Sequence, residues 1–250
     1  MNLDPTLILV GIALLFASFV KGASGLGFPL IATPTVALLL DIRTAITILL
    51  IPNIVMDVAQ VFRDGFPFAV LRRFAWFFLA TIVGVFLGTA VLVNLPLWVL
   101  NFCLGVMVLV FVTFNWLKFD FRITPGLEKL LIVPVGFISG FLNGITNAAG
   151  PVLAIYLYSL RLEKREFIKS IATIFVFTKL SQLAAVSSWN LFNSSTLLLS
   201  LQVTLFTLAG FYAGLKTQDR IHQQTFNRAL LILLFVIGVT LLGRALSQSP

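Results

Sequence analysis

The chain has 250 residues, of which 59% are hydrophobic and only 10% are charged, and its formal net charge at pH 7 is +8. A soluble domain carries about a quarter charged residues, so this composition, with a mean hydropathy of +1.06, excludes a soluble globular protein and predicts an all-α polytopic membrane protein. Because the basic residues lie in short loops between apolar runs, we interpret the positive charge as orienting the chain in a membrane and not as binding nucleic acid.

The apolar runs predict ten helices in two sets of five. Four of them are shorter than the roughly 20 residues that cross a bilayer. These four flank two glycine-rich interruptions, which we call the first break (residues 22–29) and the second break (residues 144–151). Each break ends in a proline and opens a new apolar run. The predicted helices are 6–20, 26–40, 45–62, 74–93, 98–117, 130–143, 151–160, 170–190, 197–215 and 226–246.

The two halves of the chain repeat. Placing the first break on the second break also places Pro29 on Pro151, and further matches follow along a consistent register. Internal duplication is a common construction of secondary transporters. We therefore expect a single membrane domain built from a first repeat, 1–120, and a second repeat, 130–250.

Charge in the loops predicts the topology. Thirteen of the 17 lysines and arginines lie in the loops 63–73, 118–129, 161–169 and 216–228. If each break is the tip of a re-entrant or short-helix hairpin, all thirteen basic residues fall on one side of the membrane. If the chain instead crosses the membrane once at each break, six basic residues fall on one side and seven on the other. The positive-inside rule favours hairpins. Each repeat is then a hairpin plus three spanning helices, and the two repeats are inverted relative to each other. We expect the protein to lie in the cell's inner membrane, with both termini outside the cytoplasm.

The breaks themselves are candidates for a substrate site. Irregular backbone is tolerated at membrane depth only where protein buries it or a water-filled cavity solvates it. Pro29 and Pro151 suit the first turn of a helix, whose free N–H groups attract anions. Small residues at this spacing also serve helix packing, but we favour substrate binding at the tips. The predicted binding residues there are Lys21, Gly22, Ser24, Gly25, Gly27, Asn143, Gly144, Thr146, Asn147 and Gly150.

Three ionisable residues, Lys21, Asp57 and Lys179, lie far from the end of any predicted span. Such residues are costly in a bilayer and are usually functional or paired. Asp57 and Lys179 are equivalent under the repeat register, so a two-fold axis could join them as a structural or functional ion pair. We predict that Lys21 or Lys179 provides the counter-charge for an anionic substrate. Gln60 and Gln182, one turn further along, are candidate polar contacts.

The coupling ion stays open at this point. Asp57 is a candidate for carrying a coupling proton or cation, but a salt bridge with Lys179 would oppose its protonation. The chain has one cysteine and one histidine, so we expect no metal site and no cofactor. The expected partners are a small anionic substrate and membrane lipid.

Two segments carry a resemblance to a known family. They are Gly22-Ala23-Ser24-Gly25-Leu26-Gly27 followed by Pro29, and Gly140-Phe141-Leu142-Asn143-Gly144 leading to Gly150-Pro151. At these residues the chain resembles the TauE/SafE family of sulfite and organosulfonate exporters, whose members are also described as probable membrane transporter proteins. The resemblance covers the whole chain. It implies transport of small sulfur-containing anions, such as sulfite, sulfoacetate or another sulfonate, with export as the expected direction.

Two alternatives to a transporter that works by alternating access remain. An anion channel would need the same electrostatics as the transporter. An intramembrane enzyme would have Lys179 with Ser181, Ser187 and Ser188 as its nearest constellation, and no histidine or second carboxylate supports that group. We therefore expect the protein not to be an enzyme.

Overall fold

The structure, a computed structural model, describes residues 5–63, 65–117, 122–217 and 223–248. Within these ranges the chain forms α-helices and no strands, which confirms the predicted all-α class. The helices are α1 (Pro5–Ser24), α2 (Phe28–Leu39), α3 (Ile42–Ile48), α4 (Leu50–Phe62), α5 (Phe68–Arg73), α6 (Ala75–Asn94), α7 (Leu97–Leu117), α8 (Pro125–Thr146), α9 (Gly150–Ser159), α10 (Lys164–Ser188), α11 (Ser194–Thr217) and α12 (Gln223–Ser247).

Seven helical stretches in the described part of the chain are long and apolar enough to cross a membrane. They are α3 continued by α4, then α6, α7, α8, α10, α11 and the part of α12 from Leu230 onward. Many large apolar side chains on these helices stay exposed, such as Leu205 and Leu198. Exposed apolar surface of this extent suits contact with lipid tails, so the fold is that of a polytopic membrane protein.

The predicted helix before Arg63 divides into α3 and α4 at Leu49. Pro52 has no backbone N–H to donate, and in a regular helix its ring would clash with the carbonyl group of Ile48, four residues earlier. The regular helix is therefore interrupted at Leu49, although this residue keeps right-handed backbone angles.

Each break joins a long helix to a short one. α1 and α8 have 20 and 22 residues, whereas α2 and α9 have 12 and 10. The prediction of four short helices is therefore wrong for the first arm of each hairpin. Packing keeps the small and polar residues up to Ser24 and Thr146 helical, although their helix propensity is weak.

The second hairpin enters and leaves at one face of the protein. The backbone N–H of Ile123, just before α8, donates to the carbonyl oxygen of Ser159, the last residue of α9, at 3.0 Å. A helix of ten residues spans about 15 Å, which is half of a hydrocarbon core of about 30 Å. The short α9 therefore cannot cross the hydrocarbon core, whereas α8 is long enough to do so. The depth of this hairpin in the membrane stays a prediction.

The two halves of the chain interlock. α1 packs along α11, α8 packs along α6, and α4 meets α10 between them. The first two contacts depend on glycine, since a Cβ atom at Gly144 would lie 2.6 Å from the carbonyl oxygen of Val85, and one at Gly22 would lie 2.8 Å from the amide nitrogen of Leu215. Each hairpin thus packs on a helix of the other half, as a two-fold relation between repeats requires. The inverted orientation of the repeats stays a prediction.

Candidate functional site

The first break folds into a tight turn after α1. The backbone N–H of Gly25 donates to the carbonyl oxygen of Lys21 at 2.8 Å, and that of Leu26 donates to the Ser24 hydroxyl at 3.3 Å. Gly25 and Gly27 have φ angles of 80° and 107°, a conformation that side chains with a Cβ rarely adopt. These two glycines are therefore required by the shape of the tip.

The second break folds into the same turn. The backbone N–H of Asn147 donates to the carbonyl oxygen of Asn143 at 2.8 Å, and that of Ala148 donates to the Thr146 hydroxyl at 3.3 Å. Asn147 has a φ angle of 61°, which asparagine tolerates better than most residues. Each bond has its counterpart in the first break at the position that the repeat register assigns. The two turns are thus built alike up to this point. They differ two residues later, where Gly27 has a φ angle of 107° and its counterpart Ala149 has one of −69°.

Two pairs of residues predicted to bind substrate have contacts of another kind. The hydroxyl groups of Ser24 and Thr146 each lie 2.8 Å from the backbone carbonyl oxygen four residues earlier, so they stabilise the tips. Gly22 and Gly144 face the backbone of α11 and α6, and for these two glycines helix packing explains the residue type. Because their missing Cβ atoms are replaced by a neighbouring helix, the structure gives them no surface for a substrate.

Lys21 is the last charged residue before the first tip, and it is 1% exposed. Its Nζ donates to Asp57 Oδ1 at 2.6 Å and to Asn53 Oδ1 at 3.3 Å, both on α4. The same nitrogen lies 5.7 Å from the ring centroid of Phe175 on α10, a cation–π contact. The structure thus pairs Lys21 with a carboxylate.

Lys179 on α10 is 0% exposed and is held by amide oxygens. Its Nζ donates to Asn143 Oδ1 at 2.6 Å, to Gln182 Oε1 at 3.3 Å and to Asn147 Oδ1. Three acceptors match the three N–H donors of an ammonium group. Gln182 is fixed in turn by its Nε2, which donates to the backbone carbonyl of Asn143 at 2.9 Å. The amides orient the ammonium group without neutralising it.

The predicted Asp57–Lys179 ion pair is not formed. Asp57 bonds to Lys21 and interacts with Lys179 only at longer range. In both halves the residue at the hairpin tip contacts the residue 36 positions later, Asp57 for Lys21 and Lys179 for Asn143. The equivalent residues therefore form contacts within each repeat and not across the axis between repeats.

Three ionisable residues are buried together at the centre of the protein, namely Lys21, Lys179 and Asp57. In their ordinary ionised forms they would add to one net positive charge. Among the described residues, no carboxylate lies within salt-bridge distance of Lys179. A buried ammonium group without a carboxylate partner is costly, so an anion beside Lys179 would stabilise its charged form.

Three polar atoms on the same side of α4 also lack a partner among the described residues. They are Asn53 Nδ2, Asp57 Oδ2 and Gln60 Oε1. Buried polar groups are normally hydrogen-bonded, and residues spaced four and three apart share one face of a helix. The side of α4 that faces the first tip therefore has unused donors and acceptors next to the two lysines.

A cavity of about 570 Å³ reaches both tips. Ser24 and Gly27 of the first tip and Gly150 of the second lie in its wall, and α7 and α12 close it laterally. Gly27 is the residue before α2, whose first N–H groups carry the positive end of the helix dipole. Arg228, near the start of α12, also lines the cavity. The cavity thus touches residues of both tips, whereas Lys21, Asp57 and Lys179 are not among the residues that line it.

A second cavity, of about 390 Å³, lies at the opposite end of the protein. Arg43 lines it and donates to the carbonyl oxygen of Leu95, just before α7 begins, at 2.8 Å. The larger cavity is lined by Asn115 and Trp116 at the other end of α7. The two cavities therefore lie toward opposite ends of α7.

Several residues of this centre were missed in the sequence. Asn53 lies one turn before Asp57 in the same apolar run, so its polarity and spacing were a usable signal. Thr33 accepts a hydrogen bond from Asn147 Nδ2 at 2.9 Å and joins the second tip to α2. Phe175 occupies a position where phenylalanine is unremarkable in this phenylalanine-rich chain, so only the structure identifies it.

Comparison with known proteins gives one match. The family model described as "Sulfite exporter TauE/SafE" matches residues 10–241, nearly the whole chain. No curated protein and no solved structure shows significant similarity to the chain. With a match of this extent, over both tips and all the helices that surround them, the chain belongs to the sulfite exporter TauE/SafE family.

Proposed function

We propose that the protein is a secondary transporter that exports small sulfur-containing anions, such as sulfite, sulfoacetate or another sulfonate, across the cell's inner membrane. The family supports a membrane exporter of sulfur anions. The proposed site lies between the two hairpin tips, with Lys21 and Lys179 as counter-charges. Asn143, Asn147, Gln60 and Gln182 orient the lysines or the anion.

The observation that carries this proposal is the unneutralised positive charge at the centre. Lys179 is fully buried and bonded to three neutral amides, whereas Lys21 has a carboxylate. A sulfonate or sulfite oxygen accepts hydrogen bonds from ammonium and backbone N–H groups. A bound monoanion would therefore leave two positive and two negative charges in the site.

Alternating access is supported by the two cavities and the two similar tips. Inverted repeats typically place the substrate site at their interface and open it by moving one part against the other. The larger cavity reaches the tips from the face with the basic loops, and the smaller one lies on the opposite face. An anion channel with the same residues would conduct much faster than such a cycle allows, so transport rates separate the two.

The contacts of Lys179 do not support an intramembrane enzyme. Its amine donates to amide oxygens, whereas the hydroxyl groups of Ser181 and Ser188 donate to the carbonyl oxygens of Phe177 and Ala185. No nucleophile–base pair is formed by these groups.

The test is binding and transport with purified protein in vesicles. The panel is sulfite, sulfoacetate, methanesulfonate and thiosulfate, measured by ligand-induced thermal shift and by radiolabelled efflux. Asn147→Asp places a carboxylate beside Lys179, and we expect affinity for the transported anion to fall by at least about tenfold, since a buried charge at contact distance acts strongly.

Matched control variants distinguish the effect of the Lys179 charge on transport from a loss of folded protein. Lys129 is an exposed lysine on α8, and Lys129→Gln should transport like the wild type, whereas Lys179→Gln should lose transport. If Lys179→Gln does not fold, Asn147→Asp decides alone, because it keeps the ammonium group paired. Absence of transport or binding for the whole panel, or undiminished affinity in Asn147→Asp, contradicts the proposed site.

A further inference from the structure

Asp57 has one carboxylate oxygen that is not used by the described residues. Oδ1 accepts from Lys21 Nζ at 2.6 Å, and Oδ2 is buried without a partner. The neighbouring Gln60 Oε1 and Asn53 Nδ2 are unpartnered as well. A buried carboxylate oxygen with free lone pairs is a place where a proton can bind.

The surroundings of Asp57 favour a proton over a metal cation. The charged groups that act on Asp57 are Lys21 from α1 and Lys179 from α10. The remaining helices packed on α4 are α3, where Arg43 donates to backbone carbonyls at the far end of α6, and α11, where Lys216 is exposed beside Tyr212. The two ammonium groups act against any added positive charge, a proton included. A proton still has an acceptor, because it forms a covalent O–H bond at the single free oxygen Oδ2, whereas a metal cation needs several oxygen ligands.

The charge of the site then depends on Asp57. With Asp57 ionised, the two lysines and the carboxylate add to one positive charge, which one monoanion neutralises. With Asp57 protonated, the two lysines together match one dianion. A dianion in the first state, or a monoanion in the second, leaves an uncompensated buried charge, which is costly. Anion valence and protonation are thereby linked, since each bound charge changes the affinity for the other.

We propose that Asp57 Oδ2 is a proton-binding site that couples one proton to the transport of dianions and none to the transport of monoanions. This rests on the proposed function. The proton comes from the solution at the open face, an O–H bond forms at Oδ2, and the proton dissociates to the solution when the dianion leaves at the other face. Either cycle moves one net negative charge, so an inside-negative membrane potential favours export.

The experiment uses the full-length protein in vesicles whose potential is clamped with K⁺ and valinomycin. Accumulation of sulfoacetate, a dianion at neutral pH, is compared with that of methanesulfonate, a monoanion. With the outside more acidic than the inside, the wild type should accumulate sulfoacetate by about tenfold for each pH unit and should not accumulate methanesulfonate. A Na⁺ gradient should drive neither anion.

Variants test whether Asp57 is the group that binds the coupled proton. Asp57→Asn cannot release a proton, so its exchange of sulfoacetate should no longer respond to pH, whereas Asp57→Glu should keep the response. Glu128→Gln, which changes a carboxylate paired with Arg73 on the basic face, should behave like the wild type. If Asp57→Asn does not fold, the double variant Lys21→Gln/Asp57→Asn keeps one positive charge, and it should transport methanesulfonate and not sulfoacetate.

The outcomes are separable. Equal pH-driven accumulation of both anions, or a pH gradient that still drives sulfoacetate in Asp57→Asn, overturns the assignment of the proton to Asp57. The same holds if Lys21→Gln/Asp57→Asn transports the dianion. If the wild type exchanges neither anion under any condition, the proposed function itself fails.

Discussion

The two buried lysines are held by the same construction with different charges. In the first half of the chain the hairpin provides the cation, Lys21, and α4 provides the carboxylate of Asp57. In the second half the hairpin provides a neutral amide, Asn143, and α10 provides the cation, Lys179. The positive excess therefore arises because position 143 is asparagine and not an acid. A duplicated scaffold thus holds an unequal set of charges.

Removing one member of the Lys21–Asp57 pair should cost much more stability than removing both. Lys21→Met leaves a buried carboxylate without a partner, which typically costs about 3–5 kcal/mol, whereas apolar replacement of a whole buried pair is often neutral. We expect a clear fall in unfolding temperature for Lys21→Met and a recovery to near the wild-type value in Lys21→Met/Asp57→Leu. Thermal unfolding of the detergent-purified proteins measures this.

The double variant also separates stability from function. It restores packing without restoring the charges, so it should remain inactive in sulfoacetate transport while being as stable as the wild type. Equal unfolding temperatures for the single and the double variant would show that the pair contributes little to folding.

At the scale of elements, the close pairs α1 with α11 and α6 with α8 position the tips. Small residues allow helix backbones to approach closely in a membrane, where the hydrophobic effect does not drive helix association. Each of these pairs joins the two halves of the chain, so the depth of each tip is set by a helix of the other half. Packing at the glycines is therefore a condition for the geometry of the charged centre.

A Cβ atom added at Gly144 should disturb this packing. It would lie 2.6 Å from the carbonyl oxygen of Val85 and 2.8 Å from the amide nitrogen of Thr89, so the helices must separate. We expect Gly144→Ala to lower the free energy of unfolding by roughly 1–3 kcal/mol. Gly243→Ala is the matched control, because no atom lies within 4 Å of a Cβ at that helical position. Similar losses in both variants would contradict tight packing at Gly144.

The sequence predicted the class of fold, the breaks and all three buried charges, because hydropathy, glycine, proline and charge are local signals. It did not predict which charges meet. The repeat register makes Asp57 and Lys179 equivalent, but equivalence is compatible with contacts within or between repeats. Likewise Gly22 and Gly27 look alike in the sequence, yet one faces a helix and the other lines the cavity. Such distinctions depend on side-chain direction, which only tertiary packing decides.

At the scale of the whole molecule, the two halves interlock and a cavity lies at each end. The larger cavity is lined by Arg228 near the start of α12, and the smaller one by Arg43. If the basic loops face the cytoplasm, the structure is open toward the cytoplasm, which is the state that an exporter needs to load its substrate. Orientation in the membrane is therefore part of the mechanism.

Labelling of single cysteines tests this orientation. In a Cys103→Ser background, Gly126→Cys places a thiol at the start of α8 beside a basic loop, and Ser195→Cys places one at the smaller cavity; both positions are exposed. By the positive-inside rule, a membrane-impermeant maleimide applied to intact cells should label Ser195→Cys and should label Gly126→Cys only after the membrane is permeabilised. The reverse pattern would invert the topology and place the open cavity outside the cell. Labelling of both cysteines in intact cells would exclude an arrangement in which all four basic loops share the cytoplasmic face.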